Sequence, residues 1–280
     1  MPILKLHDCE IYYEEHGEGP PLLFVAGLGG VGSYWQPQIE HFSKSFRVIV
    51  HDHRGTGRST KSRIRYSLEQ MAADTLGVMD ALAIDSAVII GHSTGGAIAQ
   101  ILCLEHPERV QAAVMYATWT KADTFFKRCF EVRRTLLRAG PTDYVRGGAI
   151  FLQPSWWIRD APDLEDNTVY GESFDPDIVD SRIQALLEFD RTADLSRIAT
   201  PVLVIGVEND HLTPLYYSRA VADAIPGAEL ATMKDGAHVA SQIFPEEFNE
   251  IVHDFIVKQE HILSESRNLG AVAHPGYRRF

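Results

Sequence analysis

At 280 residues and 45% hydrophobic content, the chain is long enough to bury a substantial core, and one large domain carrying an insertion is the natural reading. Its 26 basic against 38 acidic side chains give a formal charge of -12, which disfavours nucleic acid or an anionic membrane as the main partner and favours a small-molecule substrate. The start lacks a basic region followed by an apolar one, and no run approaches the roughly 20 apolar residues that cross a bilayer, so a cytoplasmic protein is expected.

Short apolar, β-branched runs near 3–7, 10–16, 21–26, 46–51, 87–91 and 110–116 read as strands. No helix fits between the first two, which are expected to form an antiparallel edge. Helices fit Pro37–Lys44, Ser67–Ala83 and Thr94–Glu105, the second opened by Ser67 with Gln70 three positions on as a capping box. From Thr118 to about Asp194 the alternation stops, and helical segments rich in Arg, Trp and Phe take over. A strand at 201–206, a helix near 214–225, a strand at 229–233 and a helix near 245–258 then restore it. The expected organisation is a core in two parts, 1–118 and 196–260, a helical cap at 119–195, and a tail of little periodicity at 261–280. The fold class is α/β, a mostly parallel eight-stranded sheet with helices on both faces and the cap inserted after strand six.

Gly27, Gly29 and Gly32 spell G-x-G-x-x-G after an apolar run, with Asp52 where a dinucleotide site would seek a ribose-binding acid. In such a site the helix begins inside the glycines; here Pro37 looks like its first residue, so the loop is too long for a nicotinamide site. His51 and His53 flank Asp52, but alternate residues on a strand face opposite ways and no zinc-helix spacing occurs, so no metal is expected. Cys9, Cys103 and Cys129 form no C-x-x-C pair and read as reduced, buried thiols.

The strand Ala87–Ile90 runs into Gly91-His92-Ser93-Thr94-Gly95 and then a helix, which places a G-x-S-x-G match at a strand-to-helix turn. A serine hydroxyl there needs a base, and the base needs an acid to orient it. Asp210 follows the strand at 201–206, at the carboxyl edge where open α/β sheets place ligand sites, and His238 follows the strand at 229–233. Glu208, Asp235 and Asp123 are alternative acids in weaker positions. His92, next to the serine, reads as a packing or hydrogen-bonding residue.

The order Ser93, Asp210, His238 is similar to that of the α/β-hydrolase superfamily, as are His51-Asp-His-Arg-Gly-Thr-Gly-Arg-Ser59 and Gly236-Ala-His238. Within that superfamily, Ala26–Trp35, Arg128-Cys-Phe-Glu-Val-Arg133 and the Trp156-Trp157 region resemble the RutD-type aminoacrylate or carbamate hydrolases. The glycine loop then presents the Leu28 amide as an oxyanion donor beside that of Thr94. Ala26 stands where the family has the histidine of an H-G pair.

The resemblance implies acyl transfer through Ser93, without metal or organic cofactor, on a small ester, lactone, amide or enamine-acid. An aminoacrylate or carbamate of pyrimidine breakdown is the specific form, and a general carboxylesterase or lactonase the broader one. A binding protein without turnover, or a cofactor-free lyase or oxygenase, is the reading from another class. Trp119, Phe125, Phe126, Trp156 and Trp157 are candidates for an apolar wall over the site, and Arg133, among Arg128, Arg133 and Arg134, for a carboxylate partner. Composition and motifs are compatible with a homodimer.

Overall fold

The computed structural model describes residues 2–160 and 174–272, with side chains to residue 259. Eight strands, β1 (Ile3–Lys5), β2 (Glu10–His16), β3 (Pro21–Val25), β4 (Arg47–His51), β5 (Ala87–His92), β6 (Val110–Tyr116), β7 (Val202–Val207) and β8 (Glu229–Met233), form one sheet in the order β1-β2-β4-β3-β5-β6-β7-β8. β1 and β2 join antiparallel, as their lack of a crossover helix requires, and every pair from β3 onward is parallel.

The central strands are apolar on both faces because both faces are covered. On one, Leu22, Phe24, Val88, Ile90, Val114 and Ile205 pack against helix α1 (Gln36–Phe42) and the long last helix. On the other, Leu23, Val25, Ile89, Ala113 and Val204 pack under α2 (Leu68–Ala81) and α3 (Thr94–Glu105). Ser67 caps α2 by accepting the Gln70 amide at 3.0 Å, whereas the Gln70 side chain turns to Asp74 instead of closing the box.

Among the described residues between β6 and β7 lie the α-helices α4 (Thr124–Ala139), α5 (Pro141–Leu152), α6 (Ser155–Asp160) and α7 (Pro176–Glu188). Residues 161–173 of the expected cap and the final eight of the expected tail lie outside the described residues. After β7 come α8 (Leu215–Ala224), then β8, the short α9 (Ala240–Ile243) and α10 (Pro245–Val272).

Three expectations need correction. Helix α10 runs to Val272, so a boundary at residue 260 cuts a continuous helix: no proline or glycine cap stands at 258 to stop it. Helix α1 begins at Gln36, with Pro37 in its first turn, and a 3-10 turn over Gly32–Trp35 occupies the end of the glycine loop. The His51 and His53 rings stack 5.2 Å apart instead of facing opposite ways, because residues two apart in an extended chain point to the same face. Among the described residues, no helix is long and apolar enough to cross a membrane.

Candidate active site

At the carboxyl edge of the sheet, β5 turns sharply into α3 at Ser93. Ser93 has φ 53° and ψ -111°, a conformation that a non-glycine residue adopts only where the surroundings impose it. Here its amide donates to Tyr116 O at 2.8 Å, while its carbonyl accepts from Thr118 Oγ1 at 2.8 Å and Gly96 N at 2.9 Å. The flanking glycines are a packing necessity. A Cβ at Gly91 would meet Gly95 O at 2.2 Å, and one at Gly95 would meet Val25 O at 2.0 Å.

Two loops bring Asp210 and His238 to the same edge. After β7, the buried Asp210 carboxylate accepts Leu212 N and Thr213 N, each at 2.8 Å, on Oδ1, and Thr213 Oγ1 at 2.7 Å and His238 Nδ1 at 2.8 Å on Oδ2. Burial alone pushes this carboxyl upward in pKa. The His238 ring and the Thr213 donors outweigh it and hold the group below its usual value, so it is ionised at neutral pH. Facing a carboxylate, His238 Nδ1 carries the proton, which leaves Nε2 as a proton acceptor. The Ser93 hydroxyl makes no hydrogen bond among the described residues; in unliganded hydrolases this contact is commonly long and tightens around substrate.

His92, beside the serine, turns away from it and braces the histidine loop. Its Nε2 lies 2.9 Å from the His238 carbonyl oxygen, which makes Nε2 the protonated nitrogen, and its ring stacks on Tyr34 at 4.6 Å. Burial drives its pKa far down, with the nearby His238 ring adding to the effect, so it stays neutral.

The glycine loop approaches from β3. Its fold explains why it is not a dinucleotide site. Asp52 Oδ1 accepts Gly32 N and Asp52 Oδ2 accepts Arg58 N, both at 2.8 Å, so the acid in the ribose-binding position is spent tying two loops together. Gly30 O takes Thr56 Oγ1 at 2.8 Å and His53 N at 2.7 Å. Arg182, fully buried on α7, reaches the same loop: Nη2 donates to Leu28 O at 3.1 Å and Nη1 to Arg54 O at 3.0 Å. Nη2 also stands 3.1 Å from His53 Nδ1, which must be the unprotonated nitrogen. The Leu28 and Thr94 amides donate to no other group among the described residues. Thr94 opens α3, where first-turn amides have no helical acceptor.

A cavity of about 160 Å³ lies over this corner, lined by Leu28, Tyr34, Phe130, Arg133, Gln153 and His238 among others. Its size suits a small substrate, well below the roughly 300–1,000 Å³ of drug-sized sites. Of the six residues expected to surround a substrate, only Arg133 lines it. Trp119 is fully buried against Phe126 at 4.6 Å, and both belong to the core. Phe125 lines an open groove alongside, bounded by Cys129, Phe151 and Gln153, and Trp157 is 39% exposed. Trp156 donates its indole N–H to Asp235 at 3.0 Å.

The periodicity of α4 held the missing signal. Phe126, Phe130 and Arg133 are four and three residues apart on one buried face, so Phe130 was legible from Phe126. Arg128 is exposed beside Glu131, and Arg134 pairs with Asp180. The alternative acids have other work. Glu208 is exposed, and Asp123 caps α4 through Phe126 N at 2.9 Å and accepts the Tyr216 and Tyr217 hydroxyls.

The family model for the alpha/beta hydrolase fold matches residues 20–144. A relative named putative carbamate hydrolase RutD, from Azorhizobium caulinodans, is 39% identical over 259 residues, covering 91% of this chain and 98% of that protein. A second of the same name, from Caulobacter sp. strain K31, is 39% identical over 256 residues, 88% of this chain and 95% of that one. Among solved structures, a hydrolase from Pseudomonas aeruginosa PA01 superposes with a TM-score of 0.84 at 26% identity, over 91% of this chain and 97% of that chain. The enol-lactonase from Burkholderia xenovorans LB400 does so at 0.82 and 26% identity, over 91% and 100%.

Proposed function

The chain belongs to the α/β hydrolases of RutD type and is a hydrolase, and from that premise we propose that it cleaves a small carboxylic acid derivative through an acyl-enzyme on Ser93. The observation that carries the reading is the 2.8 Å contact between His238 Nδ1 and Asp210 Oδ2, at the edge where the strained Ser93 backbone projects its side chain. His238 Nε2 takes the Ser93 proton as Oγ bonds to the acyl carbon. The Leu28 and Thr94 amides receive the resulting oxyanion, one such donor contributing about 3 kcal/mol. Collapse expels the leaving group, which takes the proton from Nε2. Water, deprotonated by the same nitrogen, then releases the acid and restores the serine.

The cavity suits a compact ester, lactone, amide or enamine-acid, and Arg133 on its wall suits a substrate that carries a carboxylate. The names of the relatives favour a carbamate, consistent with the aminoacrylate or carbamate of pyrimidine breakdown that the sequence resemblance implies; the enol-lactonase likeness favours a lactone. Three free, buried cysteines accord with a cytoplasmic setting, and the proposed acyl transfer calls on no cofactor or metal.

The test is Ser93→Ala together with fluorophosphonate labelling and release of a chromogenic short-chain ester. The wild-type protein labels once and turns over. The variant neither labels nor turns over, with kcat down by about 10⁴-fold or more. A variant of full activity on the natural substrate rules out the covalent route, and a wild-type protein that labels without sustained turnover points to a binding or lyase role.

A further inference from the structure

We propose that Asn209, Asp235 and Trp156 form a hydrogen-bonded tie that positions the His238 loop against Asp210 and makes that position depend on how α6 is seated. The inference rests on the reading of His238 as the general base. Asn209 directly precedes the acid, and its carboxamide grips the other loop at two points: Oδ1 accepts Ala237 N at 3.0 Å and Nδ2 donates to Asp235 Oδ1 at 2.6 Å. The first grip falls on a residue held at φ 51°, a left-handed conformation that alanine does not keep unless neighbours enforce it. Gly236, at φ 101°, sits at the crest of the same turn, where a Cβ would meet Ala240 Cα at 2.6 Å.

Asp235 completes the tie. Its Oδ1 also accepts Gly236 N at 2.6 Å, and its Oδ2 accepts the Trp156 indole N–H at 3.0 Å. The Trp156 ring packs toward Phe244, just past the histidine loop, with centroids 6.2 Å apart. Trp156 is thus joined to the base through the segment Asp235–His238. The acid is joined to it through Asn209. A displacement of a catalytic group by about 1 Å costs up to about 10²-fold in rate, so a tie across three residues is large enough to govern turnover. These are positioning residues, since none of the three lines the cavity.

Three variants of the full chain test the tie: Trp156→Phe, which keeps a ring and removes the donor, Asp235→Asn, and Asn209→Ala. With a short-chain activated ester, kcat falls about tenfold for Trp156→Phe and Asp235→Asn and by up to about 10²-fold for Asn209→Ala, while KM stays within about twofold. The double variant Trp156→Phe/Asp235→Asn loses no more than the worse single, because both break one bond. Proton NMR of the hydrogen-bonded His238 Nδ1–H gives a readout independent of turnover: the downfield signal shifts or broadens in all three folded variants. Unchanged kcat and an unchanged signal overturn the proposal, as does a rise in KM that varies with acyl size, which marks Trp156 as a substrate wall. If Ser93→Ala keeps activity, the hydrolytic reading fails on its own account, and the NMR signal still decides whether the tie holds the loop.

Discussion

Lowering the pH from 7 to 5 is expected to destabilise the fold through its buried histidines. His51 is 1% exposed, its Nδ1 has no partner, and burial lowers its pKa from 6.5 to about 4. The unfolded chain takes up a proton on this ring below about pH 6.5, whereas the folded protein refuses it until about pH 4. Protonation therefore favours the unfolded state throughout that window, and the stability present above pH 6.5 drains away as pH falls. A full shift of this size corresponds to about 3 kcal/mol, of which about 2 kcal/mol is lost by pH 5 from His51 alone. His53 and His92, also buried and also lowered, act in the same direction. Urea unfolding at pH 7 and pH 5 measures the loss. In a His51→Gln variant the difference between the two pH values shrinks by about 2 kcal/mol. An equal loss in variant and wild type refutes the reasoning.

Two further outcomes concern the catalytic corner. Asp210→Asn replaces an ionised acceptor by an amide that stabilises the wrong histidine tautomer, so kcat on a chromogenic ester falls by about 10⁴-fold while circular dichroism stays native; a loss under about tenfold refutes the acid assignment. Gly95→Ala drives a methyl into Val25 O, a backbone atom that cannot swing aside, and costs about 3 kcal/mol in urea unfolding or prevents folding altogether. A variant of wild-type stability shows that the elbow relaxes more readily than its contacts imply.

The central strands were legible because each is a short apolar run, and parallel strands covered on both faces need no alternation to betray them. The serine turn was legible for a related reason. Gly91 is demanded by the backbone of Gly95 and Gly95 by that of Val25 on the neighbouring strand, but both glycines fall in one contiguous stretch. The end of α10 was not legible, since beyond Lys258 neither a breaker nor a clear apolar face marks how far a helix continues. The cavity wall was legible only in part. Phe130 follows from the helical period of α4, but Gln153 and Tyr34 meet there through tertiary packing of distant elements. No motif marks Arg182; what buries it is a set of backbone carbonyls and a histidine from loops more than 120 residues away.

Those long-range ties give the segment between β6 and β7 a second part besides closing the cavity. From α7, Arg182 fastens the carbonyl of Leu28, in the loop proposed to supply one oxyanion donor. From α6, Trp156 fastens Asp235, three residues before His238. The remaining partner, Ser93, is held by the sheet itself, through Tyr116 O and Thr118 Oγ1. The proposed nucleophile is therefore fixed by the core of the protein, while the proposed base and oxyanion loop are each secured from the helical segment. A substitution that unseats α6 or α7 acts on the two loops first and leaves the strained serine in place. On the proposed mechanism, loss of catalysis and loss of the elbow are for that reason separable in this fold: covalent labelling slows because proton transfer and anion binding falter, with Ser93 still presented at the end of β5.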